Sequence, residues 1–169
     1  RRAVGARHGR AAADRLGPVL VQFPASFKES VEAQGYLEWL LETFRDYELA
    51  VELRHKSWFA GDNQRETLDF LREHDLPFVC VDMPQGHNSS IPPVLAATAD
   101  LAVVRFHGHS DKWTSKDIYE KFGYEYSRAE LAQWAPRLRG LADEAGETHV
   151  LMNNCYSDYA QTNAEDLLE

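Results

Sequence analysis

Glu52 and Arg54 stand two residues apart, and so do Arg105 and His107. On a β-strand that spacing puts both members of a pair on one face. A carboxylate beside a guanidinium is either a structural ion pair or part of a ligand site, and the sequence leaves both open. Arg105 and Arg54 carry planar donor forks suited to a carboxylate or phosphate. Glu52, Asp82 and His107 are the groups able to act as general acid or base; against this, Asp82 could cap a turn and a lone histidine is often structural. Asn153 and Asn154, with Asn163 further on, could orient a polar ligand, because an amide both donates and accepts. The same amides could instead tie the last loop to the last helix. Trp58, Trp113, Tyr124 and Tyr126 offer rings that either stack on a ligand or anchor their own loops.

These residues share a place in the chain. Apolar runs occupy residues 19–23 (VLVQF), 49–53 (LAVEL), 78–82 (FVCVD), 101–106 (LAVVRF) and 149–153 (HVLMN). Each has the length and nearly continuous apolar character of a strand buried on both faces in a parallel sheet. Gln22, Glu52, Asp82, Arg105 and Asn153 fall at the ends of these runs. Charge in or beside a buried strand is costly unless it is paired or faces a cavity, and parallel α/β folds place ligands at the carboxyl ends of their strands. The expectation is five mutually parallel strands with these residues gathered at one end, forming a polar pocket with an aromatic rim.

Helical patterns lie between the runs. Residues 31–44 place Tyr36, Leu37, Leu40, Leu41 and Phe44 in one stripe. Residues 66–74 place Leu68 and Leu71 beside Phe70, with Asp75, Leu76 and Pro77 ending the helix. Ser127 and Glu130 make a capping box for a helix through Leu141 that Gly146 closes, and residues 158–168 read as a last helix. Alternating strands and helices predict βα units around a parallel sheet. The connection 108–126 is long and rich in aromatic residues, as lids and binding loops are.

A chain of 169 residues, 44 % hydrophobic, is expected to form a single domain over 1–169. A closed eight-stranded barrel takes about 250 residues. Five strands therefore imply an open doubly wound sheet or an excerpt of a barrel, and the missing initiator Met favours the excerpt. The net charge of −9 argues against a general nucleic-acid partner or a polybasic membrane contact, although a local basic pocket is compatible with it. No apolar stretch approaches the roughly 20 residues that span a bilayer, and the basic start, RRAVGARHGRAAADRLG, lacks the apolar core of a secretory signal. The two cysteines, Cys80 and Cys155, form no metal-binding or redox motif, which fits a reducing cytoplasm. His87, His107 and His109, with Glu52 and Asp82, match no strong metal-binding spacing, so no metal is assigned and the cofactor stays open. Dinucleotide, phosphate-loop, nucleophile-elbow and zinc-protease motifs are absent.

The ordered series AVELRHKSWF, VCVD, VVRFHG, YEYSRAELAQWA and MNNC…AQTNAEDL resembles the YecE-like family, domain of unknown function 72, from about Leu16 to the end of the chain. The resemblance implies a TIM-type (β/α) barrel lacking its amino-terminal strands. It also implies recurring roles for Glu52, Arg54, Ser57, Trp58, Asp82, Arg105, His107, Gly108, Trp113, Tyr124, Tyr126, Asn153, Asn154, Ala160 and Asn163. Where the family carries an aromatic before the paired Asn, this chain has Met152. No reaction comes with the resemblance. The functional expectations are an enzyme acting on a small polar or anionic substrate, with a metal-assisted hydrolase or isomerase as a sub-case. The alternative is a non-catalytic module binding a ligand or nucleic acid through its aromatic rings.

Overall fold

Every apolar run becomes a short strand in the computed structural model, which describes residues 17–169; expectations that rest on residues 1–16 lie outside the described residues. The strands are β1 (Val19–Gln22), β2 (Leu49–Glu52), β3 (Val79–Asp82), β4 (Leu101–Phe106) and β5 (Glu147–Met152). The helices are α1 (Val31–Thr43), α2 (Asn63–Glu73), α3 (Ile118–Phe122), α4 (Arg128–Glu144) and α5 (Tyr159–Leu168).

All strand pairings are parallel. β1 pairs with β2 in one sheet, and β3, β4 and β5 form a second. One parallel bridge, Val51 with Phe78, joins them, and Val51 N–H donates to the Pro77 carbonyl at 2.8 Å. The strands thus follow one another in chain order, without the reversal that marks a doubly wound sheet. Among the described residues they do not close into a ring.

The two faces differ. Val51, Leu53, Cys80, Val104 and Phe106 face the helices and join Leu37, Leu40, Leu71 and Trp134 in the main core. Ala50, Val79, Leu101 and Val103 form a small buried cluster on the other face. Burial on both faces explains why the central strands read as unbroken apolar runs. The outer strands are wetter, with Val19, Leu20 and Leu151 exposed.

Several local expectations need correction. In α1 the buried residues are Ala33, Leu37 and Leu40, while Tyr36 and Phe44 are exposed. Ala33 lets the helix approach closely, and Tyr36 packs at the rim, its ring 6.2 Å from that of Phe23. α2 starts before residue 66, and Thr67 joins Leu68 and Leu71 inside because its hydroxyl donates to the Trp58 carbonyl at 2.8 Å. Asp75 adopts a left-handed φ of 51° as the chain leaves that helix, a conformation Asp tolerates. The Ser127–Glu130 capping box is present, but α4 runs to Glu144 and ends on Ala145 rather than at Gly146. α3 interrupts the connection 108–126. The strand–helix rhythm lapses between β3 and β4, where residues 83–100 carry no helix and bury Met83, Ile91 and Ala96 instead.

Candidate functional site

Strand register decides which strand-end groups can meet. Val81 lies opposite Arg105, and Asp82 opposite Phe106. Side chains alternate along a strand, so Arg105 and His107 share the inner face with Glu52 and Arg54, while Asp82 turns to the helix side with Phe106. The strand-end residues expected to gather in one place therefore fall into two clusters.

On the inner face, Glu52 is the centre. Its side chain is 0 % exposed, and one carboxylate oxygen meets Arg54 Nη1 at 2.5 Å while the other takes an N–H from Arg105 Nη1. Arg105 also donates to Gln22 Oε1 at 3.1 Å and to Asn153 Oδ1 at 2.6 Å. His107 stands behind them, 3.4 Å from Arg54 Nη1 through Nε2 and 3.4 Å from Asn153 Nδ2 through Nδ1. Burial opposes the Glu52 charge, but His107 and the two guanidiniums outweigh it and hold the carboxyl at about 2. At 3.8 Å His107 is beyond full hydrogen-bond reach, so the arginines are the stronger cause. For His107, burial lowers the pKa, Arg54 and Arg105 push the same way, and Glu52 partly opposes. Glu52 is thus a fixed anion and His107 a neutral imidazole, both out of solvent contact. As general acid or base, each lacks an exposed edge.

Arg54 and Arg105 are the charged members that reach the surface, beside exposed Gln22 and half-buried Asn153. With Glu52 they sum to one uncompensated positive charge. Arg54 uses Nη1 alone; its Nη2 and Nε have no protein partner among the described residues. Trp113 lies beneath it, with the Arg54 guanidinium 5.5 Å and Lys121 Nζ 4.8 Å from its ring centroid. The ring is buried, so Trp113 is a platform for cations of the protein rather than for a ligand.

On the helix side, Asp82 Oδ2 accepts the Tyr126 hydroxyl at 2.6 Å, and that hydroxyl accepts Gly108 N–H at 2.8 Å. Burial, then the Asp82 charge, pushes the Tyr126 phenol far above its ordinary value. Asn163 bonds both backbone groups of Tyr126, at 3.0 and 2.8 Å. Asn154 donates to Asn163 Oδ1 and to the Tyr124 carbonyl, each at 2.8 Å. Tyr124 donates to the Glu130 carboxylate, and burial followed by Glu130 raises its phenol to about 12.

Tyr126, Asn154 and Asn163, expected as ligand contacts, are therefore buried pins of the connection 108–126, and Ala160 beside them is half-buried. Trp58 is corrected in the same way: 1 % exposed, it donates Nε1–H to the Phe27 carbonyl at 2.9 Å and stacks on Phe27. Ser57 accepts Glu29 N–H at 2.9 Å and meets His55 Nδ1 at 2.8 Å, closing the 3₁₀ turn Lys56–Phe59.

Gly108 divides the two clusters. Its φ is +82°, and a Cβ would stand 2.5 Å from Tyr124 Cβ, so no larger residue fits. Sequence reasoning weighed His109 only as a metal ligand beside Asp82; the reversal at Gly108 sends it to Asp82 as a hydrogen-bond partner. The signal for it was the glycine between two histidines. No group of three or more His, Cys, Asp or Glu side chains among the described residues is arranged to hold a metal, and no described helix is long and apolar enough to cross a membrane.

Comparison with known proteins places this geometry among relatives. The family profile described as "Protein of unknown function DUF72" matches residues 5–169. The UPF0759 protein YunF of Bacillus subtilis (strain 168) is 32 % identical over 163 residues, which cover 92 % of this chain and 58 % of that protein. The crystal structure of a DUF72 family protein from Thermotoga maritima MSB8 is similar with a TM-score of 0.86 at 38 % identity, covering 95 % of this chain and 60 % of that one. Another, from Enterococcus faecalis V583, has a TM-score of 0.86 at 29 % identity and covers 93 % and 59 %. The chain spans about three fifths of the length of these relatives.

Proposed function

Since this chain belongs to the DUF72 protein family, we propose that its work is done at the Arg54–Arg105 pocket, which binds a small polar anion such as a carboxylate or phosphate ester. The observation that carries this reading is the shared buried carboxylate. Glu52 neutralises one guanidinium charge and orients both arginines, so one positive charge remains for a ligand, with the Nη2–Nε edge of Arg54 unpartnered among the described residues. Preorganised donors of this kind bind anions tightly because the side chains are already ordered. Gln22 and Asn153 supply amides at the same mouth.

Binding comes before catalysis in this reading, because Glu52 and His107 lack an exposed edge from which to move a proton. An enzyme acting on an anionic substrate would use the pocket to hold the charge and another group for the chemistry. A stacking module for single-stranded nucleic acid is less well supported: Trp58, Trp113 and Tyr126 are buried, and stacking needs exposed rings.

Five parallel strands in chain order fit a segment of a closed (β/α) barrel, with Ala50, Val79, Leu101 and Val103 as part of its interior layer. The free thiols of Cys80 and exposed Cys155 fit a cytoplasmic setting. The test is nuclear magnetic resonance of the whole protein titrated with methyl phosphate. The Arg54 Nε–H resonance is expected to shift saturably, and an unmoved resonance removes the reading.

A further inference from the structure

Away from the arginine pocket, one titratable side chain combines solvent access with a buried acidic partner. His109 is 40 % exposed, and its Nε2 lies 3.0 Å from Asp82 Oδ1 and 2.9 Å from Oδ2. Asp82 is buried and already accepts the Tyr126 hydroxyl. A carboxylate accepts, so His109 donates Nε2–H to Asp82 and the contact fixes the tautomer. Nδ1 is then the free nitrogen. The rings of Tyr124 and Tyr126 stand 5.2 and 5.6 Å from the imidazole, and Glu130 Oε1 is 4.0 Å from Nδ1.

The geometry points to a second acid–base centre at His109, whose Nδ1 exchanges a proton with a hydroxyl group of a neutral, polyhydroxylated ligand. It is separate from the anion pocket, because Asp82 and Arg105 face opposite sides of the sheet. The ligand class follows from charge and chemistry. Asp82 and Glu130 bring two negative charges against at most one on His109, so an anion is repelled here. Carboxylate acceptors and the Tyr124 hydroxyl match a ligand rich in O–H groups, and the tyrosine ring beside the imidazole offers an apolar surface to its C–H groups.

The charged and titratable groups facing His109 are Asp82 from β3, Glu130 from α4, and Tyr124 and Tyr126 from the connection. The Asp82 hydrogen bond raises the imidazole pKa, burial opposes it, and the Asp82 and Glu130 charges add to the rise. The net rise strengthens the hold of the imidazole on its second proton, and a positioned imidazole can pass such a proton to or from a hydroxyl. The loop is already held by Tyr126 and Asn163, so His109 is not needed to tether it.

The test follows the His109 Cε1–H resonance in the whole protein, assigned with His109→Gln, while methyl α-glucoside and then methyl phosphate are added. The expected result is a saturable shift with the glucoside and none with methyl phosphate. In Glu130→Gln the His109 titration midpoint should fall while the spectrum stays native, because Gln keeps the capping box. A His109 resonance that ignores the glucoside in wild-type protein overturns the proposal. The anion pocket is judged separately, by Arg54 with methyl phosphate, so either reading can fail alone.

Discussion

Asp82 and Arg105 occupy neighbouring parallel strands, one register position apart, and their side chains leave opposite faces of the sheet. Arg105 enters the ion cluster around Glu52, and Asp82 goes under the connection to Tyr126 and His109. A charge change on one side should leave the other side's hydrogen bonds intact. This separation makes the following substitutions interpretable.

Glu52→Gln should be among the most damaging single changes. It leaves two half-buried guanidiniums facing each other without their shared buried anion. Breaking a buried charge cluster in this way costs about 3–5 kcal/mol. Denaturant unfolding measures the loss, and a change under about 1 kcal/mol would mean that the cluster contributes little to stability.

The same cluster predicts sensitivity to acid. Glu52 has a lowered pKa of about 2 against an ordinary 4.5, so its contribution is full above the ordinary value and is lost as pH falls toward 2. The linked free energy is on the order of 3 kcal/mol. The lowered His107 pKa acts in the same direction from a higher pH, since the imidazole must charge on unfolding below its ordinary value of 6.5. Stability followed from pH 7 downward should decline first through the histidine range and then more steeply through the carboxylate range. In Glu52→Gln the second decline should flatten.

Arg54→Lys keeps the charge and removes the planar fork. Methyl phosphate affinity should drop about tenfold, which is about 1.4 kcal/mol. Calorimetric titration of both proteins checks this; equal affinities would mean that a point charge suffices.

Gly108→Ala meets two obstacles at once, the left-handed backbone and the Tyr124 side chain. The cost should exceed about 1 kcal/mol, with the Tyr126 hydroxyl losing its bond from the Gly108 N–H. Thermal unfolding measures the first, and ultraviolet titration of the tyrosines measures the second as a still higher Tyr126 midpoint, because the Gly108 N–H favours the phenolate.

Asn163→Ala strips partners from the Tyr126 backbone N–H and carbonyl together. Two orphaned buried groups cost about 2–6 kcal/mol. Amide exchange at Tyr126 should accelerate far more than exchange within β2, and uniform acceleration would place Asn163 in the global core instead.

Strand cores were legible because their two-sided burial writes itself as apolar runs, and the capping box at Ser127 because its two residues lie three apart. Side-chain facing past the strand ends was not legible. The alternation that pairs Arg105 with His107 would carry on to His109, and only the positive φ at Gly108 sends that imidazole to Asp82. Trp58 and Tyr126 looked like binding rings because their types suit stacking. Their partners, Phe27 and Asp82, lie 31 and 44 residues away, and no local pattern encodes such a contact. The buried face of α1 was misread because Ala33 contributes little hydrophobicity while setting the distance of approach.

The seam between β2 and β3 is crossed by one backbone bridge, whereas side chains span it from β2 to β4 through Glu52 and Arg105. The ion cluster thus acts as a rivet across the thinnest line of the sheet. A ligand that draws Arg54 or Arg105 toward itself pulls on the rivet, so occupancy and the cohesion of the two sheets become one mechanical variable.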